Sequence, residues 1–163
     1  MKPTHSLEVT RDIEADPTVV WERISDHART HTWVREASVS LLTPGATTPN
    51  GTGAVREVSF PDRRMWTTIQ ERITAFEPPR TFSYAIIAGM PGIRDHLGTL
   101  TVEPLGRGRC RLTWHVDFEF SRWHPMGWIA GSFVKVFTGV LQTALDELAR
   151  QLEVRGSVYQ SGG

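Results

Sequence analysis

Apolar residues along this chain change their spacing three times. Over residues 5–13 they alternate, with Leu7, Val9 and Ile13 on one side, as in a strand with one buried face. Asp16-Pro17 then opens a helix, Asp as N-cap and Pro at the first helical position, with Val19, Val20 and Ile24 as its apolar residues. The phrase SDHARTHTW predicts a second short helical turn ending near Trp33. Six strands are predicted next, at 37–43, 53–60, 65–76, 81–88, 95–104 and 109–120. Turn sequences separate them (TPGATTPNG, PDR, EPPR, GMPG, LGRG) and are short enough for antiparallel neighbours. From Met126 to Leu152 the period becomes helical. Ile129, Phe133, Val136, Phe137, Val140, Leu141, Ala144, Leu145, Leu148 and Leu152 form one wide stripe.

The predicted class is α+β: a seven-stranded curved antiparallel sheet, two short helices after strand 1, and a long C-terminal helix packed over the sheet. A sheet of this length twists and curls. Its apolar concave face and the apolar stripe of the helix bury each other.

Composition narrows the function classes. The 163 residues suit one domain able to bury a core without staples. Eighteen basic and eighteen acidic residues cancel, so no basic patch points to nucleic acid. The single cysteine, Cys110, excludes an internal disulfide and a multi-cysteine zinc site, and a buried inert thiol is expected there. The first residues lack the apolar core of a signal peptide, and Lys135 and Gln142 interrupt the longest apolar stretch. The expectation is a cytoplasmic protein without stable membrane insertion, monomer or homodimer, with neither a metal nor a cofactor.

Several phrases carry a resemblance: IEADPTVVWERISD in strand 1 and helix 1, Trp33, GTGAVREVSF, ERITAFEPPRTFSY, HLGTLTVEPLGRGRCRLTWHVDF, and the closing amphipathic helix. Together they resemble the START-like, helix-grip superfamily (SRPBCC), which includes polyketide cyclase/dehydrase-like proteins, aromatase/cyclases, lipid-transfer domains and plant allergen-like carriers. The resemblance covers residues 5–153. It implies one ligand-binding domain over 1–153, with a disordered tail over 154–163. It also implies a cavity between sheet and long helix that takes a hydrophobic small molecule. Aromatase/cyclase members use a cavity arginine to orient a poly-β-ketone chain, and Arg56 falls on a strand where such an arginine fits.

Strand pairing locates the cavity wall independently. Opposed residues of an antiparallel pair share a face. The expected registers set Arg56 opposite Ile69, Glu71 opposite Ile86, Ile86 opposite His96, His96 opposite Val116 and Gly98 opposite Trp114. The apolar rows then share one inner face, interrupted at Arg56, Glu71 and His96. An unpaired charge in a dry core is costly, so Arg56 and Glu71 are expected to pair across a diagonal. Three readings of that pair stay open: a structural ion pair, the polar anchor of a pocket, and a slipped register that leaves both residues exposed. Arg56, Glu71 and His96 are the candidate catalytic residues. On the sheet, Ile69, Tyr84, Ile86, Trp114 and Phe118 join them as candidate ligand contacts. Trp33, Phe133 and Phe137 complete that set from the helical segments. His27 and His31 stand four apart but lack the rest of a metal motif, and both are expected at the surface.

Three functions are compatible with these residues. The first is binding of a hydrophobic small molecule: a lipid, polyketide or aromatic metabolite. The second is a polyketide cyclase, aromatase or dehydratase, with His96 moving a proton and Arg56 stabilising an enolate. The third is a regulator that binds another protein through Trp123 and Trp128.

Overall fold

The computed structural model describes residues 5–35, 37–60, 68–121 and 130–160, with the backbone alone at 130 and 155–160. Seven antiparallel strands form one sheet in the order β1-β7-β6-β5-β4-β3-β2. They are β1 (His5–Ile13), β2 (Ser38–Thr43), β3 (Val55–Ser59), β4 (Thr68–Glu77), β5 (Thr81–Ala88), β6 (Ile93–Gly106) and β7 (Arg109–Phe120). Between β1 and β2 lie helix α1 (Pro17–Ser25) and a 3-10 helix (His27–Thr32), and helix α2 (Ala130–Gln160) closes the chain. This is the helix-grip architecture.

Helix α1 starts where its cap dictates. The Asp16 carboxylate accepts from the Thr18 amide at 2.9 Å, and Pro17 follows in the first turn. A bond from the Thr18 hydroxyl, and after it the amide bond, hold the Asp16 pKa below its usual value. Trp21 is buried and packs on Phe76 and Phe82, fixing α1 to the sheet. Buried Arg23 donates to Gln151 of α2 at 3.0 Å, and Gln151 in turn donates to the Thr32 carbonyl at 2.6 Å. One amide side chain thus ties α1, the 3-10 helix and α2 together.

Helix α2 lies against β1. Leu141, Leu145, Leu148, Ala149 and Leu152 are buried with Leu7, Val9, Ile13, Cys110 and Leu112 in a single core. Burial pushes the Cys110 thiol up to about 11, with Asp16 and Asp12 adding to the shift. Val136, expected in the apolar stripe, is instead 65% exposed. The backbone of α2 remains helical beyond 153, where a disordered tail was expected, as far as Gln160. Among the described residues no helix is long and apolar enough to cross a membrane.

The pairing differs from the expected registers by two residues in the β3–β4 and β6–β7 ladders. Arg56 stands opposite Glu71, not Ile69, which faces Val58. Gly98 stands opposite Val116, and Leu100 opposite Trp114. Glu71 does face Ile86. The ladder between β5 and β6 runs from Thr81–Thr101 to Tyr84–Gly98 and stops short of the expected Ile86–His96 pair. A slip of two preserves which face each side chain occupies, so the inner row is the expected one. The β3–β4 ladder itself carries no shift, so its offset follows from the hairpin connection that precedes it, whereas the β6–β7 ladder shifts between Pro104 and Gly106 beside its turn and again between Arg94 and Leu97.

Candidate functional site

Arg56 and Glu71 face each other on adjacent strands, and both are buried. Arg56 Nε donates to Glu71 Oε2 at 2.7 Å. This is a direct cross-strand pair, closer than the diagonal the sequence suggested. Two ionised side chains withdrawn from water cost several kcal/mol each before their mutual attraction is counted. The surroundings offset part of that cost. The guanidinium carbon lies 5.1 Å from the Tyr84 ring centre and 6.0 Å from that of Phe82. Through Nε alone, among the described residues, does Arg56 make a hydrogen bond, so its two terminal nitrogens retain donors.

Tyr84 sits at the centre of the group. Its hydroxyl accepts from Trp114 Nε1 at 3.0 Å, and its ring lies 5.6 Å from that of His96. Burial, with the Glu71 charge as the second cause, raises the phenol pKa and keeps it protonated. Gly98 makes room for the ring: a Cβ there would come within 2.3 Å of Tyr84. His96 is buried, and its Nδ1 has no hydrogen-bond partner among the described residues. Burial lowers its pKa to about 4, so it is neutral at pH 7.

The structure therefore brings Arg56, Glu71, Tyr84, Ile86, His96 and Trp114 into one neighbourhood. Trp33 joins it through an edge contact with Trp114 at 5.8 Å. Ile69 is buried on the same face two residues from Glu71. Phe118, Phe133 and Phe137 form a separate aromatic stack, with ring separations of 5.9 Å and 5.6 Å. No ring contact among the described residues joins that stack to Tyr84 or Arg56. Trp123 and Trp128, the anchors of the interaction reading, lie outside the described residues.

A cleft of about 430 Å³ opens along the flank of α2. Trp33, Val34 and Arg35 form one wall; Val136, Gly139, Val140, Thr143 and Ala144 form the other. Trp33 is the one candidate residue that lines it. The indole is thus shared: it borders the cleft and also meets Trp114, which bonds Tyr84. Its own Nε1 is buried without a partner among the described residues. A Cβ on Gly139 or Gly131 would meet no atom within 4 Å, so both glycines face open space.

His27 was expected at the surface. It is 2% exposed, with its ring 5.2 Å from that of Phe82. The signal that would have found it is the 3-10 period of three residues per turn. His27, Thr30 and Trp33 share one face and are all buried. His31, four residues on, is exposed as expected.

Comparison with known proteins agrees with this architecture. The family model described as polyketide cyclase / dehydrase and lipid transport matches residues 4–153. The chain belongs to that family. Its fold is also that of XoxI from Bacillus cereus, at 20% identity and a TM-score of 0.72, covering 91% of this chain and 96% of that one. Norcoclaurine synthase of Thalictrum flavum, solved as a point mutant with a transition-state analogue, superposes with a TM-score of 0.67 at 15% identity, covering 91% and 93%. The same plant enzyme has been solved in complex with dopamine and hydroxybenzaldehyde, and that structure gives 0.69 at 13% identity, covering 90% and 85%. No curated protein matches the sequence.

Proposed function

We propose that this family member binds a hydrophobic small molecule, a lipid, polyketide or aromatic metabolite, over the inner face of the sheet. The observation that carries the reading is the buried Arg56–Glu71 pair, enclosed by Phe82 and Tyr84, with guanidinium donors that no described residue takes up. A few convergent polar groups in an aromatic wall are the usual make-up of a ligand site. Ile69, Ile86 and Trp114 supply apolar surface beside them, and the Trp33 cleft supplies an approach. Phe118, Phe133 and Phe137 extend the aromatic surface beneath the start of α2. The ligands of norcoclaurine synthase, small aromatic molecules, are of the size this reading requires.

A second reading adds chemistry to the same site. His96 is neutral, and its Nδ1, beside the protonated Tyr84 phenol, has no partner among the described residues. In that reading His96 takes a proton from the carbon next to a ketone, and Arg56 stabilises the enolate formed. Glu71 holds Arg56 in position. This is the step a cyclase or dehydratase needs.

One set of proteins tests both readings. A lipophilic dye such as 1-anilinonaphthalene-8-sulfonate is titrated into the wild type and into Arg56→Ala and His96→Ala, and native mass spectrometry follows co-purified small molecules. Binding by the wild type, weakened about tenfold or more in Arg56→Ala, supports the site. Absence of any displaceable ligand overturns it. Turnover of a poly-β-ketone by the wild type but by neither folded variant supports the cyclase reading. Equal turnover in all three overturns the catalytic assignment.

A further inference from the structure

His27 is a buried polar side chain that the reading above leaves without a task. It comes from the 3-10 helix, not from the sheet, yet it reaches the same aromatic wall. Its ring lies 5.2 Å from Phe82, and the Arg56 guanidinium lies 6.0 Å from that same ring. Neither His27 nitrogen has a hydrogen-bond partner among the described residues, although the residue is 2% exposed. A buried polar atom left unpaired is rare, because it gives up its bond to water and receives nothing. Two on one ring call for a partner that no described residue supplies.

The chemistry of that partner follows from the protonation state. Burial, and then the nearby Arg56 charge, lower the His27 pKa to about 3. At neutral pH the ring therefore offers one N–H donor and one lone pair. Arg56 offers donors only. A carboxylate can accept from both residues, but it offers nothing to the His27 lone pair and brings a second negative charge beside Glu71, which already pairs with Arg56 at 2.7 Å. A hydroxyl uses both kinds of group: its oxygen accepts from Arg56 while its proton goes to His27. An apolar group uses neither.

Resting on the small-molecule reading, we propose that His27 is a ligand-contacting specificity residue that, with Arg56, selects a hydroxyl-bearing aromatic ligand, a phenol or enol, over its carboxylate and hydrocarbon analogues.

Three probes of one shape test this: 2-naphthol, 2-methylnaphthalene and 2-naphthoate. Each is titrated calorimetrically into the intact wild-type protein, His27→Leu and His27→Gln, with thermal melts on all three proteins. The wild type is expected to bind 2-naphthol about tenfold more tightly than either analogue. His27→Leu is expected to lose that preference while its affinity for 2-methylnaphthalene holds or rises. His27→Gln, which keeps a donor and an acceptor, is expected to retain part of it. His27→Leu should melt no lower than wild type, since it removes two unpaired polar atoms. Equal preference in wild type and His27→Leu overturns the assignment alone. So does a wild type that shows no preference, or a His27→Leu protein that melts lower with its preference intact, the signature of a histidine bridged by water within the core. Failure of the wild type to bind any of the three probes overturns the small-molecule reading, and this assignment with it.

Discussion

The two ends of the sheet are built to different rules. Where α2 crosses β1 and β7, the interior is aliphatic: Ile13, Cys110, Leu112, Leu145, Leu148 and Ala149 have no measurable exposure. Towards β3, β4 and β5 the same inner face carries Arg56 and Glu71, with His96 nearby on β6 and His27 above it. Helix α2 shows the same division along its length. Its later turns are buried against β1, whereas its first turns carry exposed Val136 and two glycines that face open space. Aliphatic packing stabilises without specifying a ligand. Buried polar groups give up stability and gain directional recognition. One sheet therefore serves as scaffold at one end and as candidate site at the other.

The contrast can be broken most forcefully at Glu71. Glu71→Ala leaves a buried guanidinium without its carboxylate and should lower stability by about 3–5 kcal/mol in urea unfolding. Leu148→Ala, at the aliphatic end, should cost about 2–5 kcal/mol by creating a cavity. The two ends then separate on repair. The double replacement Arg56→Met with Glu71→Leu should restore wild-type stability while abolishing ligand binding. A double variant as unstable as Glu71→Ala would show that the pair contributes more than it costs.

Acid provides a gentler separation. His27 and His96 each have a folded pKa below the ordinary 6.5, at about 3 and about 4. Below pH 6.5 the unfolded chain therefore binds protons that the folded chain refuses. Stability rises with pH across this window and is lost as the pH falls from 6.5 towards 4 for His96 and towards 3 for His27. Each histidine contributes at most about 1.4 kcal/mol per pH unit. Melting curves from pH 7 to pH 4 should show this decline, and His27→Leu should flatten it. An unchanged slope would place His27 in contact with water.

The smallest effect is expected at Gly139. Alanine there meets no neighbour and gains helix propensity, so Gly139→Ala should raise stability by about 1 kcal/mol. It also narrows the cleft beside Trp33. Slower dye association with unchanged equilibrium affinity would identify the cleft as the approach to the site. Unchanged kinetics would remove it from that role.

Most of the architecture was legible in the sequence, because alternation and helical spacing report directly on which face is buried. The strand at 81–88 was placed to the residue, and the inner row survived registers that were wrong by two. That survival has a simple cause: a slip of two moves a side chain along its strand without turning it over. Arg56 and Glu71 were legible because a charge within an apolar row demands a partner. Their direct opposition was not, since it depends on where the β3–β4 hairpin turns, and a turn sequence marks that only to within a residue or two. His27 was misplaced because it was judged only as half of an incomplete metal motif, whereas the 3-10 period of three sets it on the buried face of Thr30 and Trp33. The exposure of Val136 was hidden for a related reason: periodicity shows that a helix has an apolar side, but not how far along its axis a neighbour extends.

Gly98 sets a condition on how this interior can change. The Tyr84 ring occupies the space that any larger side chain at 98 would require. Lineages or designers seeking a differently shaped chamber therefore cannot vary these two positions one at a time. A methyl at 98 must arrive with a smaller residue at 84, and that exchange would remove the aromatic lid from the guanidinium in the same stroke. Room at one strand and charge at another are inherited as a single trait.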